Sequence, residues 1–302
     1  GSVENLEYVD LEKPTINESE VLIKVKAISI NPVDVKSRQG KGVYGRIKGE
    51  NPLILGWDIS GIVEESRSSE FKVGDKVFGM VNFPGHGKAY AEYVAAPANQ
   101  LALKPQNISF EEAAASTLVA LTAYQALVHN ANIQKGQNVL VHAASGGVGH
   151  IAVQLAKHLG ARVTGTSSLK NKDFVLGLGA DSHIDYHSVD WKNADEEFDF
   201  VLDTIGGDNI DHSLEVTKTG GSIISIPTGL NEEVTAKAEA KGVKGYFILV
   251  QSSGDDMKQI ANLLESGAVK PHVSKIFPFG QMRDAHLEQE TGRTVGKIVV
   301  TL

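Results

Sequence analysis

Apolar positions along the chain fall into three regimes. From residue 21 to residue 103 they alternate with polar ones in short runs, at 21–27, 56–64, 75–81 and 89–95. A period of two is the mark of a half-buried strand. Gly40, Gly42, Gly45, Gly49, Pro52, Gly74, Pro84, Gly85 and Gly87 interrupt these runs, so the segment predicts a small, irregular, mostly antiparallel β unit.

The middle of the chain changes period. Ser109-Phe110-Glu111-Glu112 has the form of a capping box, and an alanine-rich helix follows to about Leu118, with a second over 120–130. Strands and helices then alternate. Strands are expected at 138–142, 161–166, 183–186, 198–203, 221–226 and 245–250, and helices at 148–159, 170–177, 209–218 and 255–265. Strands separated by helical patterns imply βαβ units and a parallel sheet. From about Gly267 the pattern returns to β, at 273–277 and 297–302. The expected organisation is therefore one β domain made of 1–114 and 267–302, with an α/β domain of 115–266 inserted in it.

Composition narrows the function. With 302 residues, 41% hydrophobic and 22% charged, the chain is of ordinary globular type and long enough for about two domains. There are 29 Lys and Arg against 37 Asp and Glu, a net charge of −8, and no basic block, which argues against a nucleic-acid partner. No apolar run approaches the roughly 20 residues of a membrane span, and no signal peptide is visible. Gly1-Ser2 reads as an expression scar. The absence of cysteine removes thiol nucleophiles and thiolate metal sites, and fits a reducing, cytoplasmic compartment.

The main chemical signal is a glycine-rich turn. The expected strand ending at His142 runs into Ala143-Ala144-Ser145-Gly146-Gly147-Val148-Gly149 and then a helix, a dinucleotide fingerprint with alanine in the first glycine's place. Gly146 would let the backbone approach a pyrophosphate, Gly149 would let helix and strand pack closely, and the helix N-terminus would offer N–H groups to the phosphates. The strand–turn–helix setting is the context this motif requires. A bare structural turn is the alternative.

At the end of the next strand an acidic residue would select NAD by holding the ribose 2′-OH. The chain has Thr166-Ser167-Ser168 there, followed by Lys170 and Lys172. Hydroxyls and lysines suit a 2′-phosphate, so NADPH is the expected cofactor, unless the lysines merely solvate a helix face.

These residues carry a resemblance. Ile30-Asn31-Pro32-Val33-Asp34, Leu55-Gly56-Trp57-Asp58, Val73-Gly74-Asp75, Ala91-Glu92-Tyr93, Leu121-Thr122-Ala123-Tyr124, Ser145 to Gly149 and Gly292-Arg293 with Gly296-Lys297 together make the chain similar to a zinc-independent member of the medium-chain dehydrogenase/reductase superfamily, quinone oxidoreductase-like group. The resemblance covers nearly the whole chain. It implies an α/β fold, with a doubly wound Rossmann domain, a GroES-like irregular β-barrel domain and an active site in the cleft between them. Relatives of this kind usually start with an additional β-strand. Zinc-dependent relatives place Cys, Gly-His-Glu and Cys ligands where this chain has Asn31, Trp57 and about Leu118, so no catalytic metal is expected. His183 and His187 read as surface residues rather than a metal pair.

Without zinc the hydride acceptor must be intrinsically reactive, such as a quinone or a conjugated enal or enone. Asn31 is then the expected catalytic group beside the nicotinamide or substrate, with a turn-capping role before Pro32 as the alternative. Expected cofactor contacts are Ser145, Gly146, Gly147, Val148, Gly149, Ser167, Ser168, Lys170 and Lys172. The resemblance adds Thr122, Tyr186, Arg293 and Lys297 from the family's pattern. A small-molecule substrate and a homodimer joined at the last strand of the parallel sheet are the expected partners. An enoyl-thioester reductase and a non-catalytic NADPH-binding redox sensor are the rival readings.

Overall fold

A computed structural model of the chain describes residues 1–194, 197–227 and 233–302. They divide into two compact units, Gly1–Leu121 with Val250–Gly267 and Pro271–Leu302, and Thr122–Leu249 with Ala268–Lys270.

The first unit is built on one seven-stranded sheet: β1 (Glu20–Ile30), β2 (Asp58–Ser66), β3 (Lys76–Met80), β4 (Tyr93–Pro97), β5 (Leu101–Leu103), and, far along the chain, β12 (Val273–Pro278) and β13 (Lys297–Thr301). The order is β12-β13-β1-β2-β3-β5, and β4 pairs with the first half of β1. Strand β1 shows why the pattern worked. Val21, Ile23 and Val25 point into the core while Lys24 stays exposed, and beyond Lys26 the strand is buried on both sides because Ala114 and Ala115 cover the outer face at Ala27. Pairing of β1 with β13 sets Ile30 opposite Ile298, and pairing with β2 sets Ser29 opposite Asp58. Those two registers bring together side chains 27 and 266 residues apart in sequence.

Short helices fill the turns: α1 (Pro32–Arg38), α2 (Tyr44–Ile47) and α3 (Phe110–Ala114). Ser109 caps α3, its Oγ accepting from Glu112 N at 3.1 Å while Glu112 accepts from Ser109 N at 2.8 Å. Helix α4 (Leu118–Tyr124) follows and continues into a π-helical turn, Gln125–Asn130.

The second unit is a parallel sheet of β6 (Asn138–Val141), β7 (Arg162–Ser167), β8 (Ser182–Asp185), β9 (Phe198–Asp203), β10 (Thr217–Ser225) and β11 (Lys244–Phe247), in the order β11-β10-β9-β6-β7-β8. It is connected through α5 (Gly147–His158), α6 (Lys172–Gly177), α7 (Asn209–Glu215) and α8 (Val234–Glu239). This is the doubly wound order, with its switch point between β6 and β9. Interior residues of β6, β7 and β9 are buried on both faces, as a sheet covered by helices requires. Strand β11 is at an edge, as expected.

The packing corrects the expected boundaries. Residues 115–121 and 250–266 belong with the β unit, not with the parallel sheet. The cause is α9 (Gly254–Glu265), which sits so close to the turn before β5 that a Cβ on Gly254 would stand 2.5 Å from the Asn99 carbonyl oxygen. Asn107 Nδ2 donates to the Leu264 carbonyl at 3.1 Å at the helix's other end. Helix α10 (Met282–Glu290) has no counterpart in the sequence reading, because its buried side is Met282, Ala285 and His286, too weak an apolar stripe to register. Among the described residues no helix is long and apolar enough to cross a membrane.

Candidate active site

The glycine-rich turn joins β6 to α5 in the second unit. Ala143 takes the first glycine's place with φ +46°, a left-handed conformation uncommon for alanine. It is held there by two bonds to the neighbouring strand: Ala143 N donates to Thr166 Oγ1 at 3.2 Å and Ala144 N to Thr166 O at 2.8 Å. Helix α5 starts against this turn. A Cβ on Gly149 would lie 2.2 Å from the Ala143 carbonyl oxygen, whereas one on Gly146 would come no nearer than 3.2 Å to any neighbour. Gly149 therefore sets the packing, and Gly146 leaves its side of the turn open. The N-cap of α5 is Gly146, whose lack of a side chain leaves the N–H groups of Gly147, Val148 and Gly149 uncapped. An uncapped twelve-residue helix fits a pyrophosphate.

The second end of the site lies where β7 and β8 finish. Ser167 is buried, Ser168 is half-buried, and Lys170 and Lys172 are exposed. Asn171 Nδ2 donates to Ser145 Oγ at 3.1 Å and so ties this stretch to the phosphate turn. The Ser167 hydroxyl lies 3.1 Å from Ser168 O and 2.8 Å from His183 Nε2, so it is already engaged. Lys172 stands near enough to His183 to help burial hold the imidazole below its ordinary pKa, with Asp185 opposing. Tyr186 is half-exposed just past β8, with its ring 4.1 Å from that of His187. Thr122 is buried in α4. The residues present therefore fit a dinucleotide with a 2′-phosphate at the strand ends.

Sequence reasoning missed two groups. His142, last before the turn, is buried, with Nδ1 3.2 Å from Thr166 Oγ1 and its ring against Trp191; burial lowers its pKa to about 4. Asp203, across the switch point, accepts from Ile205 N, Gly206 N, Asn209 Nδ2 and Ser225 Oγ at 2.8–3.1 Å. Only its place at the end of a buried strand hinted at this.

The first unit holds the expected catalytic group differently from the sequence reading. Asn31, expected beside the nicotinamide or substrate or else as a turn residue before Pro32, is wholly buried. Its Nδ2 donates to Asp58 Oδ2 at 2.7 Å, its Oδ1 accepts from Lys297 Nζ at 2.5 Å, and its backbone N donates to Asp34 Oδ2 at 2.7 Å at the start of α1. Lys297, expected to reach the cofactor, is 3% exposed and also donates to Ile30 O at 2.6 Å. Its ammonium is consumed inside the unit. The buried ammonium faces two buried carboxylates. Burial, reinforced by the Asp58 charge, pushes Asp34 up to about 7, and burial raises Asp58 as well, with Lys297 opposing both. The set extends outward: Tyr90, half-buried beside Asp34, has its hydroxyl 2.9 Å from His286 Nε2, and burial with the Arg38 charge lowers His286 to about 4. Arg38 pairs with Glu290. Arg293 is exposed in the loop before β13.

The remaining metal-matching positions are apolar. Trp57 is buried, its Nε1 donating to Gly85 O at 2.7 Å, and Leu118 contributes a backbone N–H to Asp58 Oδ1 at 3.1 Å. Among the described residues no three His, Asp or Glu side chains gather as a metal site.

Comparison with known proteins adds the following. Residues 17–106 match the family model described as alcohol dehydrogenase GroES-like domain, and residues 178–300 the one described as zinc-binding dehydrogenase. The chain is 36% identical to a 2-methylene-furan-3-one reductase of Solanum lycopersicum, over 99% of this chain and 76% of that protein. It is 37% identical to a chloroplastic NADPH-dependent alkenal/one oxidoreductase of Arabidopsis thaliana, over 95% of this chain and 73% of that one. Among solved structures, the quinone oxidoreductase of Coxiella burnetii superposes with a TM-score of 0.94 at 37% identity, covering 100% of this chain and 96% of that chain.

Proposed function

This chain belongs to the medium-chain dehydrogenase/reductase superfamily, in its quinone oxidoreductase-like group, and from that premise we propose that it is an NADPH-dependent reductase of quinones and conjugated enals or enones that works without zinc. The metal-free part rests on the resemblance, which sets Asn31, Trp57 and about Leu118 where zinc-dependent relatives place ligands, and on one observation: Asn31 has both side-chain polar atoms committed, to Asp58 and Lys297. Tetrahedral catalytic zinc needs three protein donors.

NADPH, when bound, supplies the hydride. The chain's own task is to hold that cofactor and to shape the acceptor's surroundings. The uncapped start of α5 receives the pyrophosphate. Ser168 and Lys172 receive the 2′-phosphate, with Ser145, Thr122, Lys170, Tyr186 and Arg293 as further contacts. Asn31 is a positioning residue: clamped between Asp58 and Lys297, it fixes the turn from β1 into α1. A cysteine-free chain suits a reducing, cytoplasmic setting. Pairing of the edge strand β11 with its mate in a second copy gives a two-fold dimer. Light scattering at micromolar concentration should return twice the chain mass, and a monomer would remove this part of the proposal.

Cofactor choice tests the reading. Lys172→Glu should lower kcat/KM for NADPH by about 10- to 150-fold, the worth of one charge-assisted phosphate contact, while Lys170→Glu changes it by under about threefold. Equal efficiency of the wild type with NADH and NADPH would contradict it.

A further inference from the structure

His183 was read from sequence as a surface residue. In the structure the parallel pairing of β7 and β8 sets it opposite Gly165, two residues before Ser167, and its ring reaches diagonally to the Ser167 hydroxyl at 2.8 Å. The Ser167 Oγ also lies 3.1 Å from Ser168 O, so its one proton is shared between these two neighbours, and the His183 tautomer decides which of them receives it. The ring is half-buried, and Nδ1 has no hydrogen-bond partner among the described residues. Ser167 therefore cannot donate to a phosphate unless it breaks this arrangement. Beside Ser168, Lys172, Lys170 and Tyr186, the imidazole itself is then a group at this corner that can answer a 2′-phosphate.

We propose that His183 is a specificity-determining residue of the 2′-phosphate site, taking up a proton as the phosphate arrives, so that the preference for NADPH over NADH grows as pH falls from about 8 to about 6.5. This deepens the cofactor reading above and rests on it. The charged groups facing the ring are Lys172 from α6 and Asp185 on its own strand. Without cofactor, burial and Lys172 hold the imidazole neutral at neutral pH, while Asp185 pulls the other way. A phosphomonoester dianion, whose second pKa is ~6, brings up to two negative charges to the same corner and offsets Lys172. The pKa of His183 then rises on binding. Linkage gives the sign: a group whose pKa is higher in the complex binds a proton with the ligand, so affinity rises as pH falls through the complex's pKa and levels off below the free protein's. NADH lacks the 2′-phosphate and should show no such coupling. The pH window stays above the phosphate's second pKa of ~6, and the part of its titration that remains near pH 6.5 acts oppositely.

The experiment is isothermal titration of the full-length chain with NADPH and with NADH at pH 6.5, 7.2 and 8.0, in buffers of different ionisation enthalpy, for wild type and His183→Gln. Glutamine keeps an N–H for Ser167 and loses the charge. Wild type should take up a fraction of a proton with NADPH and none with NADH, and its NADPH/NADH affinity ratio should rise about three- to fivefold between pH 8.0 and 6.5, the size of a partly screened charge pair. In His183→Gln the ratio should lose its slope. An NADPH preference that is flat with pH, or that slopes equally in the variant, overturns the role of His183 and leaves the Lys172 site standing. Equal NADPH and NADH affinity at every pH overturns both.

Discussion

Asn31 illustrates how far a residue's role depends on contacts no local pattern displays. Its amide separates a buried ammonium from a buried carboxylate, Lys297 on one side and Asp58 on the other. Removing a hydrogen-bonded bridge between buried charges leaves each short of a partner. Asn31→Ala should therefore destabilise the protein by about 2–4 kcal/mol in urea melts. On the folded variant, kcat for a quinone should fall about tenfold with the KM for NADPH little changed, because a shifted turn spoils the approach geometry rather than cofactor binding. A loss of stability with unchanged kcat would reduce Asn31 to a structural residue. The motif that singled out Asn31 was legible in the sequence. Its burial was not, since Lys297 is supplied by a strand 266 residues later. His183 escaped for the same reason: only the β7–β8 register shows that it meets Ser167.

At the scale of elements, every strand but β5 had a counterpart in the periodicity, and β9 spans the residues expected of it. The phosphate turn was legible because strand, glycines and helix adjoin in sequence. What the period did not report was the ownership of α9, which follows the parallel sheet in sequence but packs on β5, and the existence of the short helices α1, α2 and α8 and of α10, whose buried face includes a histidine. Propensity and period cannot report which sheet a helix covers. The turn itself offers a paired test. Gly149→Ala forces a methyl to within 2.2 Å of the Ala143 carbonyl oxygen, so backbone must move; stability should drop by about 1–3 kcal/mol and NADPH binding should be lost. At Gly146 a methyl meets nothing closer than 3.2 Å and the φ of −83° suits alanine. Gly146→Ala should melt within about 1 kcal/mol of wild type yet bind NADPH at least about tenfold more weakly, because the methyl occupies the cofactor's side of the turn. Urea melts and NADPH fluorescence titrations read both. Wild-type affinity in Gly146→Ala would contradict the cradle.

For the whole molecule, the proposed function divides the work: cofactor capture falls to the parallel-sheet unit, a charge-locked scaffold to the β unit, and a metal to neither. Hydride transfer to a quinone or a conjugated enal needs no Lewis acid, whereas forming an alkoxide from an unactivated alcohol near neutral pH does. The most direct measurement follows NADPH oxidation at 340 nm by purified protein, with its metal content determined on the same sample, against a simple quinone, a conjugated enal, an enoyl thioester and, in the reverse direction, NADP⁺ with ethanol. The account predicts less than about 0.1 zinc per chain, turnover with the quinone or enal that a strong chelator leaves unchanged, and no turnover of ethanol. Stoichiometric zinc with chelator-sensitive oxidation of ethanol would contradict it.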